Sequence, residues 1–311
     1  MQWDDLRIFL AVARDESLSA AGRRLRIDPA TVSRRIARLE EAIGAALFAK
    51  SQQGYALTDA GQRLMDHALR AEQSVAAARE EIAGQAGRLS GQIRIGAPDG
   101  VANFLLPQVC AAIADGNPDL EVQIVALPRL FNLSRREADV AITVSPPTAG
   151  RLTVLRVTDY RLHLAASSDY LASHPPVRGL ADLQDHRMVG YIPDMIFDKE
   201  LDYLVEVGAS RVALASNSVS VQLNWLRQGG GIGIAHDFAL PSAPELQRML
   251  TAEVSLTRSF YLVCHAGDAR MERMNRFATT LAEGLRSEVA RLEAEVDAAD
   301  QARGALNPAG A

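Results

Sequence analysis

The chain is poor in cysteine, lysine and long apolar runs, and each shortage excludes something. Cys110 and Cys264 are the only cysteines, too few for a disulfide framework or a cysteine-rich zinc site, and two thiols suit a reducing compartment. No stretch approaches the ~18 apolar residues of a membrane span. The first residues, MQWDDLRIFLAVARDES, carry two acids where a signal peptide carries positive charge, so a cytoplasmic location is expected. The six histidines (67, 163, 174, 186, 236 and 265) show no HxxxH or HxH spacing, so no metal is expected. There is no G-x-S-x-G elbow and no P-loop ending in Lys-Ser/Thr. The cluster Gly229-Gly230-Gly231-Ile232-Gly233 follows a predicted helix and precedes a predicted strand, the reverse of a dinucleotide fingerprint. It reads as a turn, and neither a cofactor nor an enzymatic activity is expected.

What is present is the composition of a folded protein. The 311 residues are 48% hydrophobic and 23% charged, and that length suggests about two domains. A net charge of −5 argues at first against nucleic acid. That average hides an asymmetry. From Ser17 to Arg63 there are eight basic and four acidic residues, net +4; from Gly91 onward there are 20 and 26, net −6. A basic head on an acidic body suggests two jobs in one chain, although short windows also fluctuate by a few charges.

In the head, Leu6, Phe9, Leu10 and Ala13 have the i, i+3, i+4, i+7 spacing of an amphipathic helix over Trp3–Ala13. Ser17 and Ser19 offer caps for a short helix from Ala20 to Leu25. Asp28-Pro29 begins a third helix that runs to Ala42, before Gly44. Val32, Ile36 and Leu39 share one side of it. The opposite side carries Ala30, Arg34 and Arg38, flanked by Thr31, Ser33 and Arg35. Small residues at the start of that face, Pro29 and Ala30 among them, permit close approach to a groove. Hydroxyl and guanidinium groups then reach bases and phosphates. Helix, tight turn, helix is a helix-turn-helix pattern, and short alternating pieces around Gln53-Gly54 add a wing. The alternative is a solvated, arginine-rich helix face.

The run FLAVARDESLSAAGRRL, then PATVSRRIARLEEAIGAALFAK, then GYALTDAGQRL, resembles the N-terminal domain of LysR-type transcriptional regulators almost continuously from Leu6 to Leu64. The resemblance implies a winged helix-turn-helix over 1–58, with Thr31, Ser33, Arg34 and Arg35 on the recognition helix. It places Lys50 on the wing near the phosphates, and makes Ser17, Ser19 and Arg38 further backbone contacts. Family wings are often richer in arginine; Gln52 and Gln53 stand here, against strong minor-groove contact.

From Thr58 the sequence is strongly helical. Leu64, Ala68, Ala71, Val75, Ala78 and Ile82 recur at steps of four and three, a coiled-coil seam that would pair with a second copy or pack on its own chain. In the resembled family a linker helix at this place dimerises, which assigns 59–90 to linker and hinge. Two heads on a twofold axis would read the half-sites of an inverted-repeat operator in double-stranded DNA. A homodimer, or a dimer of dimers, is expected, with RNA polymerase as a further partner.

Beyond Gly91, strand-like runs at 92–97, 121–126, 139–144, 160–166, 211–215, 232–235 and 259–264 alternate with helical stretches. A single helix is predicted over Val101–Ile113. This favours an α/β domain with mainly parallel sheets and a ligand site beyond the strands' C-terminal ends. LSRREADVAI and QGGGIGIA look like landmarks of the LysR effector-binding domain. They imply two Rossmann-like lobes around a small-molecule cleft, as in periplasmic binding proteins, with lobe I over 91–163 and 267–290 and lobe II over 164–266. Cleft candidates are Pro98, Asp99, Gly100, Asn103, Ser145, Asn217, Ser218, His236 and Asp237. Many family members place a hydroxyl residue where Asp99 stands, so an effector other than a simple carboxylate is expected there. The alternative is that Asp99 caps the following helix. Residues 291–311 are expected to form a helical extension, disordered from about Ala302. The rival to a regulator is a solute-binding or enzymatic α/β protein with an incidental helical N-terminus.

Overall fold

The structure is a computed structural model that describes residues 2–51, 54–82, 89–126, 138–148, 152–208, 211–266 and 272–306. The chain divides into two compact units, Met1–Gly87 and Arg88–Ala311.

In the first unit, α1 (Trp3–Asp15) buries Leu6, Phe9 and Leu10, the stripe its periodicity predicts. Ser17 caps α2 (Leu18–Leu25), its hydroxyl accepting the Ala20 N–H at 3.3 Å. The turn that follows is tight: a Cβ on Gly22 would lie 2.8 Å from the Ile27 carbonyl oxygen. Asp28 then caps α3 (Pro29–Ile43) by accepting from the Ala30 and Thr31 N–H groups, and the helix closes on Gly44 at φ +75°. The strands β1 (Phe48–Ser51) and β2 (Gly54–Leu57) pair antiparallel as the wing. The Tyr55 N–H docks the wing on the Glu16 carbonyl at 2.9 Å. Val32, Ile36 and Leu39 of α3 close the head's core with Phe9, Leu47 and Phe48. Last in this unit comes α4 (Asp59–Ile82).

The second unit opens with β3 (Gly91–Ala97), α5 (Asp99–Phe104), α6 (Leu106–Asp115), β4 (Leu120–Ala126) and β5 (Val140–Thr143). The helix predicted over Val101–Ile113 is broken at Leu105. Pro107 explains the break, since it lacks the N–H that would bond the Asn103 carbonyl and its ring would crowd that carbonyl, so a new helix starts just before it. A 16-residue strand, β6 (Leu152–Ser167), precedes α7 (Ser168–Ser173), β7 (Met188–Gly190), α8 (Tyr203–Glu206), β8 (Leu214–Ala215) and α9 (Val219–Arg227). The unit finishes with β9 (Ile232–His236), β10 (Leu246–Met249), β11 (Leu256–His265) and α10 (Glu272–Leu306).

The sheet runs β4-β3-β5-β11-β6-β9-β7-β8, with β10 also on β6. It is mixed and curled rather than mainly parallel. The pairs β3–β4, β3–β5, β7–β8 and β7–β9 are parallel, while β6 and β11 run antiparallel to each other and serve both ends. This gives two α/β lobes joined by a two-strand ribbon. A bulge at Phe260/Tyr261 bends β11, and from Tyr261 onward β11 pairs with β5 of the first lobe. The return crossing therefore falls inside β11, earlier than residue 267. The glycine cluster is a helix-to-strand turn: Gly231 stands at φ +152°, where a Cβ would meet the Arg187 carbonyl oxygen at 2.1 Å.

The C-terminal extension is part of this unit. Phe277, Leu281, Leu285, Val289, Leu292 and Val296 keep one buried face along α10. Beyond Arg291 the helix is clamped by charge. Glu293 accepts from Arg161 Nε at 2.9 Å, and Asp297 takes both Arg161 and Arg248. Asp300 accepts from Arg248 Nε at 2.6 Å. Arg303 donates to the Leu246 and Pro244 carbonyls. The helix continues through Leu306 instead of dissolving at Ala302, because these contacts hold its last turns; 307–311 lie outside the described residues.

Candidate DNA-binding face and ligand cleft

The outer face of α3 presents Pro29, Ala30, Ser33, Arg34 and Arg38 to solvent, with Thr31 and Arg35 half-buried at its margins. Its three arginines are not equivalent. Arg35 and Arg38 both reach Asp5, which is only 2% exposed at its side chain, Arg35 at 3.2 Å; Arg38 also donates to Gln2 Oε1. Burial alone would raise the Asp5 carboxyl, but hydrogen bonds from Arg38 and Arg35 outweigh it and hold the group below its ordinary range. Arg34 pairs with no carboxylate among the described residues; its guanidinium donates to Thr31 Oγ1 at 3.1 Å. Of the flanking hydroxyls, Ser17 spends an acceptor lone pair on its cap and keeps its proton to donate, while Ser19 is exposed. Lys50 stands on β1 opposite Tyr55, and its side chain, with Gln52 and Gln53, lies outside the described residues.

The expected dimer seam on α4 splits. Ala68 is 1% exposed, buried against its own head, and Leu64 packs on the same core. Those two positions are spent within one chain, which corrects their place in the seam. Ala71 is half-buried and Val75 is 45% exposed; the side chains of Ala78 and Ile82 lie outside the described residues.

In the second unit, α5 and α9 face each other across the lobes, and a Cβ on Gly100 would touch Val219. Asp99 is the first residue of α5, yet its carboxylate caps α9 instead of its own helix. Oδ2 accepts from Ser220 N at 2.9 Å, Ser220 Oγ at 3.0 Å and Ser218 Oγ at 3.1 Å, while Oδ1 accepts from Asn103 Nδ2 at 3.1 Å. Pro98, Asp99, Gly100, Asn103 and Ser218 thus come together, and Ser220 joins them unpredicted. The alternation Ser218-Val219-Ser220 at a helix start was the signal available for it.

The remaining candidates do not bond Asp99. Ser145 follows β5 and Asn217 precedes α9, both half-buried and neither bonded to Asp99. His236 is deep in an aromatic cluster, stacked on Tyr160 at 5.5 Å and edge-on to Tyr203 at 6.1 Å. Desolvation pushes its imidazole down to about 4 against weaker opposing pulls from Asp237 and Asp99, and its Nδ1 has no hydrogen-bond partner among the described residues. Asp237 is not a cleft residue. It is fully buried, bound to His163 Nδ1 at 2.8 Å and Arg248 Nη1 at 2.7 Å, and anchors the α10 clamp. The tyrosines Tyr191 and Tyr203, 6.0 Å apart and missed in the sequence, complete the cluster beside Asp99.

Among the described residues no group of histidine, cysteine or acid side chains could hold a metal, and no helix is long and apolar enough to cross a membrane. Cys110 and Cys264 are buried and not disulfide-bonded; desolvation pushes the Cys110 thiol up to about 11.

A winged helix-turn-helix joined to a two-lobed α/β domain defines a ligand-responsive DNA-binding protein as a class. The comparisons narrow it. Residues 3–62 match the bacterial regulatory helix-turn-helix proteins of the LysR family, and residues 86–286 match the LysR substrate binding domain. The chain belongs to the LysR family of transcriptional regulators and is a DNA-binding regulator with an effector-binding domain. It is 27% identical over 242 residues to the Escherichia coli HTH-type transcriptional regulator DmlR, covering 74% of this chain and 76% of that protein. It is 30% identical over 200 residues to the Mau operon transcriptional activator of Paracoccus denitrificans, covering 62% and 70%. In fold it is similar to CrgA, a LysR-type regulator of Neisseria meningitidis, with TM-score 0.56, 22% identity and coverage of 92% and 99%. A Corynebacterium glutamicum OxyR mutant gives TM-score 0.62 at 21% identity, covering 95% and 96%.

Proposed function

We propose that this regulator acts in the cytoplasm, without enzymatic activity, as a homodimer that assembles into a dimer of dimers and reads an inverted-repeat operator. On this reading α3 enters the major groove. Arg34 reads a base edge, Thr31 and Ser33 assist, and Pro29 and Ala30 permit close approach. Arg35 and Arg38 serve phosphates from positions that Asp5 pre-sets, with Ser17, Ser19 and Lys50 as further backbone contacts. Ala71, Val75, Ala78 and Ile82 form the dimer seam. The observation that carries the reading is the exposed α3 face, on which Arg34 has no carboxylate partner. A small effector sits between the lobes among Pro98, Asp99, Gly100, Asn103, Ser145, Asn217, Ser218 and His236. By changing how the lobes meet, it shifts the spacing of the heads and their contact with RNA polymerase.

Footprinting of the full chain on the DNA upstream of its own gene tests this. Protection of two symmetric half-sites about one helical turn apart is expected. Protection that is continuous and indifferent to sequence would overturn it.

A further inference from the structure

The start of α9 is built to hold an anion. Its dipole and free N–H groups are positive there, and two serine hydroxyls add donors. That place is already taken. The Asp99 carboxylate arrives from the other lobe and accepts from Ser220 N, Ser220 Oγ and Ser218 Oγ on a single oxygen. All three donors are neutral, and no cation pairs with Asp99 among the described residues. Among the described residues its other oxygen takes only Asn103, so it keeps capacity for a further donor.

The neighbourhood adds a feature that points to a ligand. His236 Nδ1 is a buried polar atom that lacks a hydrogen-bond partner among the described residues, while the Tyr203 and Tyr160 hydroxyls face each other. Tyr191, Tyr203 and His236 stand ring to ring at about 6 Å, and the Arg258 guanidinium lies over the Tyr203 ring at 5.9 Å, so this cluster already takes a cation on one face.

We infer that Asp99 is a resident anion filling the anion position of α9, so that the effector meets this part of the cleft with an ammonium or guanidinium group and not with a carboxylate. The inference rests on the reading of the cleft as the effector site, and names the ligand's chemistry there. A carboxylate ligand would have to evict Asp99 and then lie against it, like charge against like charge. A cation instead finds the second Asp99 oxygen, which still has acceptor capacity.

Calorimetric titration of the full chain with two probes, agmatine and succinate, tests this in the wild type, Asp99→Asn and Asp99→Ser. The wild type should bind agmatine at least about tenfold more tightly than succinate, and Asp99→Asn should lose about tenfold in agmatine affinity. Asp99→Ser should gain about tenfold in succinate affinity, because the vacated donors of Ser218 and Ser220 accept it. Asp99→Asn keeps the side chain's shape, so a loss of agmatine there reports charge and not misfolding. Succinate binding that is equal in the wild type and Asp99→Ser would overturn the inference. So would agmatine binding indifferent to Asp99→Asn, or an Asp99→Ser chain that still ignores succinate. A mobility shift run alongside separates the two readings: if ligand preference switches while neither probe alters the DNA complex, the effector role fails and the ligand chemistry stands.

Discussion

The α10 clamp of the body and the α3 face of the head use the same residue, arginine, in opposite ways. In the body, Arg248 is 8% exposed and gripped by Asp237, Asp297 and Asp300, while Arg161 is shared between Glu293 and Asp297. In the head, one buried aspartate, Asp5, serves two arginines from behind, and Arg34 meets no carboxylate among the described residues. An arginine surrounded by acids is a structural fastener; an arginine left over is a tool for an external anion. The guanidinium fork suits both uses, which accords with a chain holding just two lysines. The net charge of −5 averages these uses and describes neither.

Arg248→Met should destabilise the second unit by about 3–5 kcal/mol, because Asp237 stays buried with its main counter-ion removed. Urea unfolding would show it, with the head's DNA binding retained at low denaturant. A loss under about 1 kcal/mol would mean that the clamp is ornamental.

His236 gives the next effect. Its imidazole lies at about 4 when folded against an ordinary 6.5, so the unfolded chain takes the proton first. The corresponding stability is fully present above 6.5 and is lost as pH falls through 4, amounting to about 3 kcal/mol. Replacing His236 by Phe should flatten the fall in the urea midpoint between those pH values. In the head, Arg34→Ala should cost about 1–3 kcal/mol of sequence-specific affinity, with less effect on random DNA. The smallest change is Asp5→Asn. It should cost the head about 1 kcal/mol and release Arg35 and Arg38, tightening non-specific binding. The part of head stability that Asp5 supplies is present above its ordinary value of 3.8 and is lost as pH falls through its lowered one, so Asp5→Asn should also flatten the head's acid unfolding.

Local pattern made much of this legible. The Leu6/Phe9/Leu10 stripe, Asp28-Pro29 and Gly44 mark helices whose ends depend on a few neighbouring residues, and the structure has them there. What escaped depends on distance along the chain. Asp99 and Ser220 stand 121 positions apart, and Arg161 and Asp297 136 apart, so no periodicity links them. The short strands β7 and β10 carry no alternation long enough to register. The α4 stripe was readable as a stripe but not as two halves, since a helix face looks the same whether its own head or a partner covers it. Asp237 looked like a cleft residue because it follows a strand's C-terminal end; only the packing of α10 shows that it faces the clamp.

Whether the leftover arginine on α3 meets DNA is read by fluorescence anisotropy of the full chain on its own upstream DNA at several salt concentrations. A log–log slope near −0.9 for each phosphate neutralised is expected, and for Arg34→Ala a loss of specific affinity at nearly unchanged slope. Affinity independent of salt, or an Arg34→Ala protein that binds specific and random DNA as the wild type does, would contradict it.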